Sequence, residues 1–176
     1  MFLLKCTSEV QKVLKVNGAA AIDRQEGDAP LGNWYVNQFI ADRRKFFIFM
    51  SESTLLSFVL HKGKRPITCD LLQDAFQSGL EHLLAMRGFP MEVVGKTLAP
   101  YADGVIAKTD SRSSLGSMND LVHIYRHMIE YDGWQEGLGL TGIMMKINDM
   151  PQRKLDWSDS WRAVETILGP LNTEAQ

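Results

Sequence analysis

At 176 residues the chain fits one domain, and its 45% hydrophobic and 23% charged residues sit near globular averages, which disfavours a disordered, collagen-like or coiled-coil protein. A formal net charge of -2 gives no overall attraction for phosphate backbones or anionic lipid, and leaves only a local basic patch for such partners. Cys6 and Cys69, the two cysteines, are too few for a disulfide framework and lack the paired spacing of a zinc site, so a reducing cytoplasm is the expected setting.

The chain begins MFLLKCTSEVQKVLK. Its apolar run is three residues long and charge follows at once, unlike a signal-peptide core, and no later stretch approaches the ~20 apolar residues of a membrane span. A cytoplasmic protein with no membrane partner is expected. Residues 2–6 (FLLKC) predict a short strand. Ser8 with Gln11 supplies the side-chain pair of a capping box for a helix carrying Val10, Val13 and Leu14 on one face. Asn17-Gly18 suits the end of that helix, and residues 19–33 have the breaker-rich make-up of a loop long enough to cover a site.

From Trp34 to Leu60 three aromatic and β-branched runs follow, WYVNQFIA, KFFIFM and TLLSFVL. The short polar connections between them predict an antiparallel meander. The second run is apolar at nearly every position, so it should be buried on both faces with a helical layer on at least one. A basic loop, HKGKRP at 61–66, precedes a helix that Thr68 can cap and Gly88 ends, with Leu72, Phe76, Leu80, Leu83 and Leu84 at helical spacing. Pro90 opens a shorter helix to about Ala99, and GVIAKT at 104–109 reads as a strand or an extended crossing segment. A strong helix is expected near 118–131, a further one at 138–148 despite Gly139 and Gly142, and a last one at about 158–168 that stops at Gly169-Pro170. The expected fold is α+β: an antiparallel sheet built on the three-stranded meander at about 34–60, joined by the N-terminal strand and 104–109, and packed against several helices.

Three stretches carry a resemblance: Lys5-Cys6-Thr7, LGNWYVNQFIADRRKFFIFMSESTLL at 31–56, and KTDSRSSLGSMNDL at 108–121. They resemble a family of small bacterial proteins classed as a domain of unknown function, with a pattern like GxWYxN…RR…TLL…SRSxLGSMND. The resemblance implies a compact intracellular bacterial domain, and it implies no activity.

Among groups able to carry chemistry, SRSSLGSMND sets hydroxyls, Arg112 and an Asn-Asp pair at a helix start, where free N–H groups and the positive dipole end favour a phosphate or carboxylate. The same residues also read as a cap, with Ser117 at the N-cap and Asp120 three positions on. Arg43 and Arg44, in the turn between two strands, can grip an anion if that turn lies near the helix start. The anion-binding candidates are thus Arg43, Arg44, Ser111, Arg112, Ser113 and Asn119. His123, His127 and Glu130 share one helix face in a spacing unlike a zincin motif, beside Asn119 and Arg126, and read as a solvated face, so no metal site is expected. No phosphate-loop spacing, nucleophile elbow or cofactor motif is present, and Cys6 should be buried and inert. Tryptophans 134, 157 and 161 and methionines 144, 145 and 150 suit either core packing or a partner surface.

These features favour a non-enzymatic binding or protein-interaction module whose partner is another protein or a second copy of itself. One alternative is a small enzyme or ligand-binding protein that recognises an anionic group. Another is a nucleic-acid-binding regulator in a bacterial stress or phage-defence system, which requires Arg43, Arg44, Lys62, Lys64 and Arg65 to form one stripe.

Overall fold

Five strands and six helices form in a computed structural model that describes residues 1–16, 28–135 and 139–171. The expected helix end at Asn17-Gly18 and most of the 19–33 loop lie outside the described residues. The strands are β1 (Phe2–Cys6), β2 (Trp34–Ala41), β3 (Arg44–Ser51), β4 (Ser57–His61) and β5 (Gly104–Lys108); the helices are α1 (Ser8–Val13), α2 (Cys69–Arg87), α3 (Met91–Leu98), α4 (Arg112–Asp132), α5 (Gly139–Asn148) and α6 (Ser160–Leu168).

The sheet runs β4-β3-β2-β1-β5. The expected meander is present as β2-β3-β4, antiparallel throughout. Its first turn is a two-residue loop with Asp42 and Arg43 both at positive φ (46° and 58°), the conformation whose twist matches that of the flanking strands. β1 departs from the antiparallel expectation, pairing parallel to both β2 and β5. The segments that follow β1 and β4 are long enough for the crossovers that parallel pairing demands. The fold is α+β with a mixed sheet.

Register assigns each side chain to a face. Leu4 pairs with Trp34, Val36 with Phe49 and Phe49 with Phe58, and this face meets α2. There Phe76 lies 5.1 Å from Trp34, 5.2 Å from Phe2 and 5.4 Å from Tyr101 between ring centres, within the range of favourable aromatic pairs. Gly79, built into the same helix, lies so close to the Phe58 ring that a Cβ would collide with it. The opposite face carries Lys5, Tyr35, Met50 and Ser57 and meets α4 and α5. Tyr125 of α4 hydrogen-bonds Ser57, and the Asn148 side chain of α5 accepts from the Ser57 N–H and donates to its carbonyl. β3, apolar from Phe46 to Met50, is buried on both sides as its composition requires.

Helix starts differ from expectation in two places. α1 begins after Thr7 rather than Ser8, and Gln11 Nε2 reaches back to the Cys6 carbonyl at 2.9 Å. α4 begins two turns earlier than expected. Ser111 is its N-cap and accepts from the Ser114 N–H at 3.2 Å, while Ser117 lies inside the helix and bonds the Ser113 carbonyl. α2 follows its signals: Thr68 accepts from Leu71 N–H and Gly88 closes the helix at φ 101°.

Candidate functional site

The side of the sheet beneath α4 holds the molecule's most unusual polar group. Lys5 points there because it alternates with Leu4 and Cys6, and its residue is only 6% exposed. Its ammonium meets both carboxylate oxygens of Glu52 (2.9 and 3.1 Å) and both of Asp110 (3.0 and 3.1 Å), and lies 5.5 Å from the centre of the Tyr35 ring. The Tyr35 hydroxyl donates to the same Asp110 carboxylate. Glu52 is positioned by the β3–β4 turn, where its N–H bonds the Asn33 carbonyl and Ser51 Oγ bonds the Leu31 carbonyl. Asp110 sits between β5 and the Ser111 cap.

Burial costs a lone charge several kcal/mol, and this ammonium is compensated twice over. One cation faces two carboxylates, so the cluster keeps an excess negative charge, which it shows to solvent through side chains 32% (Glu52) and 41% (Asp110) exposed. Burial pushes the Asp110 carboxyl up, but hydrogen bonds from Tyr35 and Lys5 together outweigh it and hold the group below the ordinary carboxylate range. Burial, followed by the hydrogen bond to Asp110, pushes the Tyr35 hydroxyl well above its usual value. Tyr35 therefore stays a neutral donor. The cluster ties β1, the β3–β4 turn and the start of α4 together.

Beside it, further along β2, lies a groove. β1 pairs with β2 only as far as Cys6 and Val36, with one more bond from Thr7 N–H to the Val36 carbonyl. Among the described residues, the edge of β2 beyond that point has no strand neighbour on this side. Its exposed backbone is satisfied locally: Asn37 Oδ1 accepts from the Gln38 N–H (2.8 Å) and from the Thr7 hydroxyl (2.8 Å), and Arg126 Nε donates to the Ile40 carbonyl (2.9 Å). Such side-chain bonds protect a bare strand edge from pairing with another chain.

α1, this edge and α4 enclose a groove of about 420 Å³, within the range of small-molecule sites. Glu9 borders it from α1 and residues 37–40 form its floor; Asn119, Val122, His123 and Arg126, a single stripe at helical spacing, form its α4 wall. Gln38 Oε1 is buried with no hydrogen-bond partner among the described residues. Among the described residues the groove thus offers a guanidinium with N–H groups to spare, an imidazole, three amides and one carboxylate. That inventory suits a small polar ligand bearing an anionic group.

α4 spreads the expected anion-binding residues over three places. Ser111 caps its start, and Arg112 and Ser113 are exposed on its first turn. Asn119 lines the groove. Arg43, in the β2–β3 turn, and Arg44, the first residue of β3, are exposed near the other end of α4, where Trp134 Nε1 bonds Asp42 at 3.2 Å. At 1.5 Å per residue, the 21 residues of α4 hold its two ends roughly 30 Å apart, so the structure does not bring Arg43 or Arg44 to Arg112. It does bring the 34–37 and 110–126 stretches together, through Tyr35 with Asp110 and through Asn37 and Asn119 in the groove. His123 and Arg126, read as solvated residues, belong to the groove wall. His127 instead lies 4.4 Å from the Tyr131 ring.

Elsewhere, Cys6 is fully buried, and burial pushes its thiol up to about 12. Trp161 and Met144 are core, whereas Trp157 is 68% exposed. Among the described residues no helix is long and apolar enough to cross a membrane. A family model, described as a domain of unknown function (DUF6933), matches residues 3–163. None of the curated proteins matches the sequence.

Proposed function

Since the chain belongs to the DUF6933 family, we propose that this domain is a binding module whose groove between α1, β2 and α4 receives a small ligand carrying a carboxylate or phosphate. The observation that carries this reading is the meeting of two sequence-distant stretches, Asn37–Ile40 and Asn119–Arg126, around one polar groove. Arg126 is fixed by its bond to Ile40 and presents its remaining N–H groups. His123, one turn before it, adds a donor, and Asn119 and Asn37 orient the rest of the molecule. Glu9 opposes a second anion and favours a ligand with a donor group at that end. Binding is favoured over catalysis because the lining residues, among those described, include no hydroxyl, thiol or amine nucleophile. Resemblance to small bacterial proteins and the absence of a disulfide framework support a setting in the bacterial cytoplasm.

A thermal-shift screen with inorganic phosphate, phosphosugars, nucleotides and small carboxylates tests the reading, since a ligand of the native state raises the melting temperature. A rise of several degrees is expected for at least one class, and it should vanish in Arg126→Ala but persist in Arg112→Ala. No rise in any class, or a rise lost in Arg112→Ala alone, would sink it.

A further inference from the structure

The end of the sheet formed by the β2–β3 turn and the β4–α2 loop is strongly basic. Arg43 stands on the first, with Arg44 and Lys45 opening β3 beside it, and Lys62, Lys64 and Arg65 on the second, and all but the partly exposed Lys62 are exposed. Strand pairing places the two segments side by side: Phe46 is opposite His61, and the Lys62 N–H donates to the Lys45 carbonyl at 2.9 Å. Neighbouring strands lie about 4.8 Å apart, so six cations crowd one end of the molecule. Taking these six away from a chain of formal charge -2 leaves -8 on the remainder, a sharp segregation of sign. Two acids adjoin these cations: Asp42, in the β2–β3 turn beside Arg43, whose carboxylate accepts from Trp134, and Asp132 at the end of α4. None of the six cations has a carboxylate within ion-pair distance among the described residues.

Aromatic surface accompanies the charge. His61 closes β4 between the two loops, exposed, with its ring 4.9 Å from that of the partly exposed Trp134. Cations that track a backbone beside rings on which bases stack are the combination that single-stranded nucleic acid requires. Clustered arginine and lysine without fixed partners also suit phosphates, since no ion pair has to be broken first. We infer that this basic end binds single-stranded nucleic acid through its phosphodiester backbone, independently of the ligand groove. The overall negative charge then acts as a filter, repelling polyanions from every approach except this end.

Fluorescence anisotropy of a labelled 20-nucleotide single-stranded DNA, titrated with the full chain at 50 to 200 mM salt, tests this. The logarithm of the association constant should fall linearly with the logarithm of salt concentration with a slope of about -3, the value for roughly four phosphate contacts. Arg43→Asn/Arg44→Gln/Lys62→Gln/Lys64→Gln should weaken binding at least tenfold at 50 mM salt. Lys12→Gln/Lys146→Gln/Arg153→Gln/Lys154→Gln, which removes the same charge from exposed sites on α1, α5 and the segment before α6, should change it less than threefold. Absence of binding at 50 mM salt, an equal loss in the two variants, tighter binding to the matching duplex, or equally effective competition by poly-glutamate would each overturn the inference. The salt titration of the unmodified chain decides even if a variant fails to fold.

Discussion

The two faces of the sheet use the same strands for different ends. Toward α2 the contacts are aromatic, with Phe2, Trp34, Phe49, Phe58, Phe76 and Tyr101 forming one connected set of rings. Toward α4 the β1 side of the sheet carries an ammonium, two carboxylates and a phenol, followed by a polar groove. An aromatic layer fixes the fold by area and shape, and a single polar intrusion there is costly. A polar face is less stabilising per contact but places donors and charges where a ligand can reach them. The framework thus lies on one face, and the proposed recognition site on the other.

The division can be broken most severely at Phe76, which touches five other rings. Phe76→Ala should cost about 3–5 kcal/mol, the range for deleting a buried Phe, read as a lower midpoint in urea unfolding. A loss below about 1 kcal/mol would mean that the aromatic face is not the framework. On the other face, Lys5→Met leaves Glu52 and Asp110 facing each other. Breaking a buried pair costs about 3–5 kcal/mol and a surface pair under about 1; with carboxylates this exposed, about 2 kcal/mol is expected near neutral pH. The sign of the pH dependence follows from Asp110, whose folded value is depressed. Its contribution is full above the ordinary carboxyl value of about 3.9 and is lost as pH falls through the lower folded value. The stability gap between wild type and Lys5→Met should therefore narrow on acidification below about pH 4, in unfolding curves taken from pH 7 to pH 2. A gap that is constant with pH would assign the effect to packing of the lysine stem.

The aromatic face was the more legible in the sequence. WYVNQFIA, KFFIFM and TLLSFVL declare strands by composition, and Thr68 and Gly88 bracket α2 with local signals that tertiary contacts do not override. The polar face depends on residues far apart in the chain. Lys5 meets partners 47 and 105 residues away, and its only trace in the sequence is one lysine inside the apolar run FLLKC. The start of α4 is not legible locally because Ser111 and Ser117 are equally good caps, and because Gly116 weakens the helix between them. Packing of Ser114 and Met118 in the interior decides for Ser111. The groove wall is not legible: Asn119, His123 and Arg126 read as part of one solvated helix face with His127 and Glu130, and only the structure separates the three that line the groove. What that wall faces depends on β1 ending before β2 does, and no local pattern encodes that. The parallel pairing of β1 is equally nonlocal.

The most direct measurement for the division between faces is amide chemical-shift mapping by two-dimensional NMR, using the compound with the largest thermal shift and inorganic phosphate as a second probe. Binding in the groove predicts perturbations concentrated at residues 37–40 and 119–126, with the α2 face silent. Perturbations centred instead on Ser111–Ser113, with 37–40 unmoved, would contradict it and return recognition to the start of α4.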